Sequence, residues 1–137
     1  MQANLVFSRP RALIVEDEIL IAEELKERLS LLGFSVIAVD SAEEGIAIAT
    51  RERPDLVLMD IRLKGKKDGV QAAEEIHQQV DVPIVYLTAH SDRLTVDRAK
   101  GTEYDGFILK PFRARELQST VEIAIQRHAI RAKPKEQ

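Results

Sequence analysis

The chain has 137 residues, 45% hydrophobic and 31% charged, with a formal net charge of −3, enough for one domain built on a single core. It contains no cysteine, which excludes disulfide scaffolds and thiolate metal centres and fits a reducing, cytoplasmic setting. The acidic balance offers no general affinity for nucleic acid, no apolar run nears the roughly 20 residues that span a bilayer, and MQANLVFSRP lacks the pattern of a secretion signal.

Residues 1–11 are expected to be an N-terminal extension, 12–131 the folded domain and 132–137 a basic, solvated tail. Five short apolar runs then recur: ALIV (12–15), FSVIAV (34–39), DLVLM (55–59), PIVYLT (83–88) and GFILK (106–110). They are nearly continuous and rich in β-branched residues or leucine, which predicts strands covered on both faces. Between them lie segments of helical spacing. Ile21, Leu25, Leu29 and Leu32 recur every three or four residues, with Gly33 as a stop. Ser41 and Glu44 read as a capping box opening a second helix. Val70, Ala73, Ile76 and Val80 mark a third, and Leu94, Val96 and Ala99 a weakly amphipathic fourth opening at Ser91 or Asp92. Leu117, Val121, Ala124 and His128 line one face of the last. Five strands alternating with five helices predict a doubly wound α/β fold around a parallel sheet, because crossover connections place helices on both faces.

Such a sheet binds its ligand beyond the carboxyl ends of its strands, so the residues at those ends carry the functional information. They are Glu16 and Asp17 after the first strand, Asp60 after the third, Thr88 after the fourth and Lys110 after the fifth. Each of Asp17, Asp40 and Asp92 could serve only as a helix cap; the whole set at four strand ends is what points to a site. Three converging carboxylates repel and raise one another's pKa, and a divalent cation relieves this. An all-oxygen donor set favours Mg²⁺, with Mn²⁺ an acceptable substitute. A cation, a nucleophilic carboxylate, a hydroxyl and an ammonium together suit phosphoryl transfer to Asp60. The stiff buried strand would fix the reacting oxygen in place.

VED (15–17), VLMD (57–60), DG (68–69), LTA (87–89) and KPF (110–112) resemble the receiver domains of two-component response regulators, over roughly Ala12 to Arg131. The resemblance implies a flavodoxin-like sheet of order 2-1-3-4-5. It implies Asp60 as phosphoacceptor, with Asp17, Asp60 and the backbone carbonyl of Arg62 as Mg²⁺ ligands and Glu16 acting through water. Thr88 and Lys110 would hold the phosphoryl group and Phe107 would be the switch aromatic, although an ordinary core role also fits that ring. Such domains accept phosphorus from a histidine kinase, and the hydroxyl and aromatic then reposition to alter the fourth helix, fifth strand and fifth helix. Lys110-Pro111 is expected to be cis, as in relatives. Arg62 and His90 occupy the two positions that tune acyl-phosphate lifetime in the family, and their bulk is expected to slow hydrolysis unless both point to solvent. The loop LKGKKDG (63–69) departs from the family's frequent M-P-x-M-D-G. It has no proline and is one residue longer.

His77 and His128 read as structural, the first on the polar side of its helix and the second at a helix end favoured by the dipole. The short tail AKPKEQ leaves no room for a DNA-binding or enzymatic output module, so the expected output is an interaction, with no enzymatic turnover beyond self-phosphorylation and autodephosphorylation. Ile123 and Ile130 form a second apolar stripe off the core face. It suggests a homodimer through the fourth helix, fifth strand and fifth helix, unless the chain's own fourth helix or tail covers it. A downstream protein partner is expected, but neither nucleic acid nor membrane. Three alternatives stand beside this reading. One is a receiver excised from a longer regulator or hybrid kinase, and another is a receiver-like adaptor without phosphorylation, against which the intact Asp17, Asp60, Thr88 and Lys110 argue. The third is a hydrolase or flavin-binding protein, disfavoured because VEDEILI is not a phosphate-cradling loop.

Overall fold

A computed structural model of the chain describes residues 9–89, 97–101 and 103–132. Its strands are β1 (Arg11–Val15), β2 (Ser35–Val39), β3 (Leu56–Asp60), β4 (Ile84–Ala89) and β5 (Gly106–Lys110). The helices are α1 (Ile19–Leu31), α2 (Ala42–Glu52), α3 (Gly69–Gln79), α4, described at residues 97–99, and α5 (Ala114–Ala132). All strand pairs are parallel, in the order β2-β1-β3-β4-β5. The order reverses between β1 and β3, which opens a crevice at their carboxyl ends.

Side-chain alternation along the strands divides the core into two layers. Ile14, Leu58, Val85, Leu87 and Ile108 meet Leu25 and Leu29 of α1 and Leu117, Val121 and Ala124 of α5. Val15, Val57, Met59, Ile84 and Tyr86 meet α2, α3 and Ala99 of α4 on the other face. The three central strands are as dry as their apolar runs predict: every residue of β3 is buried. The two outer strands are not. Ser35, Ile37 and Ala38 of β2 and Leu109 of β5 are exposed, which corrects the expectation that all five strands are covered on both faces. A strand at the margin of a sheet has one neighbour, and helices packed over the centre leave part of its surface to water.

Local signals set the helix ends. Gly33 N–H bonds to Ser30 O as α1 terminates. Ser41 Oγ accepts from Glu44 N at 3.2 Å, while the Glu44 carboxylate receives the Ser41 hydroxyl at 3.4 Å, so the expected cap forms in one direction only. The reciprocal box occurs at Asp68 and Gln71, opening α3. The Lys110-Pro111 bond is cis, as expected. The fourth-helix residues Ser91, Asp92, Leu94 and Val96 lie outside the described residues. Among the described residues no helix is long and apolar enough to cross a membrane.

Candidate functional site

Register alone brings the predicted carboxylates together. Val15 lies beside Met59, so the next residue of each chain, Glu16 and Asp60, leaves its strand at the same level and on the face shared with Ile14 and Leu58. Lys110 is two residues beyond Ile108 and therefore points to that face as well. Its Nζ lies 3.0 Å from Glu16 Oε1, 3.4 Å from Asp60 Oδ2 and 3.6 Å from Glu18 Oε1. Oxygens of Glu16, Asp17 and Asp60 all fall within 4.8 Å of one another. Asp17, Glu18, Asp60, Arg62, Lys64, Ala89 and Lys110 line an open cleft of about 280 Å³ at this sheet edge.

Backbone donors hold the acids. Arg62 N–H donates to Asp60 Oδ1 at 3.0 Å, Glu18 N–H to Glu16 Oε2 at 3.0 Å, and Lys64 N–H to Asp17 Oδ2 at 3.0 Å. Asp17 does not cap α1, whose N-cap is Glu18 without a side-chain bond; nor does Asp40 cap α2, where Ser41 does so. The Asp-Gly pair has a steric reason. A Cβ at Gly69 would lie 1.9 Å from Asp60 O, so the loop can close against the end of β3 only through glycine.

Burial, and next the neighbouring Glu16 carboxylate, push the Asp60 pKa from 3.8 up to about 7, against the opposing pull of Lys110 and the Arg62 amide. Burial alone would lower Lys110, but Asp60 and Glu16 outweigh it and the ammonium is held above its ordinary value. The charge balance is incomplete even so. Glu16 Oε1 is buried and accepts no well-directed hydrogen bond, although the ammonium is 3.0 Å away. Two nearly buried acids and a third half-buried one, with the single ammonium of Lys110 beside them, fit a hard divalent cation with oxygen ligands.

Thr88 and Phe107 lie on the sheet face opposite Lys110. Thr88 is buried at the end of β4, but its Oγ1 donates to Ala89 O at 3.3 Å, and it is not among the described residues lining the cleft. Phe107 is half-buried on that α4-side face, its ring tilted against Tyr104 at 4.7 Å and Tyr86 at 5.6 Å between ring centres. His90 lies outside the described residues. Glu18 was not singled out from sequence, although the run VEDE carries it; only the fold shows that it reaches Lys110.

The sequence pattern described as the response regulator receiver domain matches residues 12–122. The chain belongs to that family. Receivers generally bind Mg²⁺ at an acidic pocket, and the trio of Glu16, Asp17 and Asp60 stands at the corresponding sheet edge. Among curated relatives, a probable transcriptional regulator ycf27 of Porphyridium aerugineum is 37% identical over 121 residues, 87% of this chain and 49% of the relative. The transcriptional regulatory protein PdtaR of Mycobacterium tuberculosis is 37% identical over 118 residues, 85% of this chain and 57% of its own. The chain thus spans about half the length of these relatives. The signal receiver domain of a modulated diguanylate cyclase from Desulfovibrio desulfuricans superposes with a TM-score of 0.83 at 36% identity, covering 90% of this chain and 99% of that one. The receiver domain of NtrX from Brucella abortus gives 0.79 at 31% identity, covering 84% and 98%. These neighbours share the flavodoxin-like receiver fold.

Proposed function

We propose that the chain, over residues 12–131, is a phosphoacceptor receiver that takes a phosphoryl group from a histidine kinase onto Asp60 and changes a protein-interaction surface in response. The observation that carries this reading is the Lys110 ammonium set between Glu16 and Asp60 at 3.0 and 3.4 Å, on the rim of an open cleft. An Asp60 oxygen attacks phosphorus, the bond from phosphorus to the kinase imidazole breaks, and its electron pair stays with the departing nitrogen, which takes up a proton. Glu16, Asp17, Asp60 and the Arg62 backbone carbonyl would hold Mg²⁺, which when bound supplies positive charge to the phosphoryl oxygens. Lys110 adds a second cation and pairs with a transferred phosphoryl oxygen.

Thr88 is the movable part. Its hydroxyl must leave Ala89 O to reach a phosphoryl oxygen, and it lies on the same sheet face as Tyr86 and Phe107. Turning it inward opens space beside Phe107, whose ring and its Tyr104 neighbour then repack toward α4. The resulting surface of α4, β5 and α5 binds the downstream partner or a second copy. Arg62, which lines the cleft, and His90, the other position that tunes acyl-phosphate lifetime in the family, would shield the acyl phosphate from water. We place the protein in the cytoplasm, where its kinase partner would act.

Incubation with acetyl phosphate and Mg²⁺, read by intact mass, tests the reading. Wild type gains the mass of one phosphoryl group and Asp60→Asn does not. Equal gain in both, or none in wild type, rejects it.

A further inference from the structure

The loop that follows Asp60 differs from the common family pattern in length and in lacking proline, and the fold gives that difference a physical consequence. Arg62 and Lys64 line the cleft, and the next residue, Gly65, sits at φ +108°, a left-handed turn that a side chain would strain. At this point the chain reaches back over 47 positions, and Lys64 N–H donates to Asp17 Oδ2 at 3.0 Å. Asp17 is the most exposed of the three clustered acids. Glu16 and Asp60 are held by burial and by their own backbone donors. Among the described residues no helix cap or ion pair restrains Asp17; the amide of Lys64 does so.

We infer that the Lys64 backbone amide is a positioning group for the cation site, fixing the Asp17 carboxylate so that its other oxygen faces Glu16 and Asp60. The inference rests on the proposed Mg²⁺-dependent phosphoacceptor reading. One oxygen of Asp17 is tied to the loop, and the second is left for a ligand. A free carboxylate on a half-exposed side chain must give up rotamer freedom on binding, whereas one already tied loses little. The hydrogen bond also withdraws some negative charge from Asp17, which weakens it as a donor. The ordering effect is expected to outweigh this, because the bond occupies one of the two carboxylate oxygens and leaves the other for the cation. Loss of such outer partners typically lowers metal affinity about 10-fold or more. The loop and the cation site are therefore one unit: binding the cation stiffens the loop, and loosening the loop weakens the cation.

Mg²⁺ titration by calorimetry of the full chain, with Lys64→Pro beside Lys64→Ala, tests this. Proline removes the amide hydrogen; alanine keeps it and removes only the ammonium. Lys64→Pro is expected to bind Mg²⁺ about 10-fold more weakly, while its thermal unfolding without cation stays that of wild type. Lys64→Ala is expected to retain wild-type affinity or exceed it. A second readout does not depend on the variant folding: in the amide-resolved NMR spectrum of wild type, Mg²⁺ should move the Lys64 resonance along with that of Arg62. Equal affinity in Lys64→Pro and wild type, or a Lys64 resonance unmoved while Arg62 shifts, overturns the inference and leaves the phosphoacceptor reading standing. Wild type that binds no Mg²⁺ overturns both.

Discussion

Asp60 joins two demands that pull against each other. A nucleophile needs its charge, while the end of a buried strand takes that charge away, and the result is a carboxyl group pushed up to about 7. The native protein therefore holds this proton more tightly than the unfolded chain does. The stabilisation from Asp60 is fully present below 3.8 and falls as pH rises toward about 7. Cation-free wild type should thus lose stability across that window relative to Asp60→Asn, measured by denaturant unfolding at several pH values. Mg²⁺ should flatten the decline, since a nearby cation favours the charged form. A pH-independent difference between the two proteins would show that burial is not what sets the acid's affinity. Next to it, Arg62 lies exposed on the cleft wall. If its bulk and that of His90 exclude water from the acyl phosphate, Arg62→Ala and His90→Ala shorten the phosphoryl half-life. An unchanged or longer half-life in both removes the shielding role.

At the scale of elements, long-range ion pairs pin α5 to the end of the sheet away from the cleft. Arg131 Nη1 donates to Asp105 Oδ1 at 2.6 Å, and Ile84 N–H donates to the same carboxylate at 3.1 Å. The Asp105 side chain is fully buried. Truncating Arg131 leaves a buried charge with the Ile84 amide as its described partner, so Arg131→Ala should destabilise by about 1–3 kcal/mol, with Arg131→Lys recovering part of the loss. Chemical denaturation checks this; a change within error would mean that water replaces the guanidinium. None of these pairings was legible in the sequence. His128 was expected to complement the helix dipole, but its Nε2 meets Asp81 Oδ1 at 2.8 Å, 47 positions away. His77 was expected on a polar face, yet its Nε2 lies 3.0 Å from Val82 O and, facing a carbonyl, acts as donor. Periodicity reports which face of a helix is dry, not what it will meet there. The strands were legible to within one residue at either end, because an apolar run carries its own length. Exposure of β2 and β5 was not, since it depends on sheet order and not on the run itself. The carboxylates at the strand ends were legible as a site because parallel register makes neighbouring strand ends neighbours in space. Thr88 shows the limit of that rule: its position was given, but its hydroxyl's present partner was not.

For the molecule as a whole, β5 joins the cleft to the outside. Lys110 faces the acids, its neighbour Leu109 is 46% exposed on the opposite face, and Thr88 lies beside Leu109 across the ladder. A change at the proposed phosphoryl site would therefore have a short path to an apolar surface. On α5, Ile123 is 51% and Ile130 76% exposed. Single exposed apolar residues are common on any protein; a strand and a helix each presenting them at one margin of the sheet is the stronger feature. A dimer that covers a typical 800 Å² or so per partner would have to use that whole margin, which in the proposed reading phosphorylation would reshape through Thr88 and Phe107. The expected outcome is a dimer fraction that rises on phosphorylation at roughly 10 μM, measured by sedimentation, and is lost in Ile123→Glu/Ile130→Glu while Asp60 still accepts phosphorus. The aspartyl phosphate must still form in the double variant, since failure there would report a damaged fold instead of a lost interface. Wild type that stays monomeric in both states, or a double variant that pairs as well as wild type, removes this surface from the signalling route and leaves transmission to a different partner.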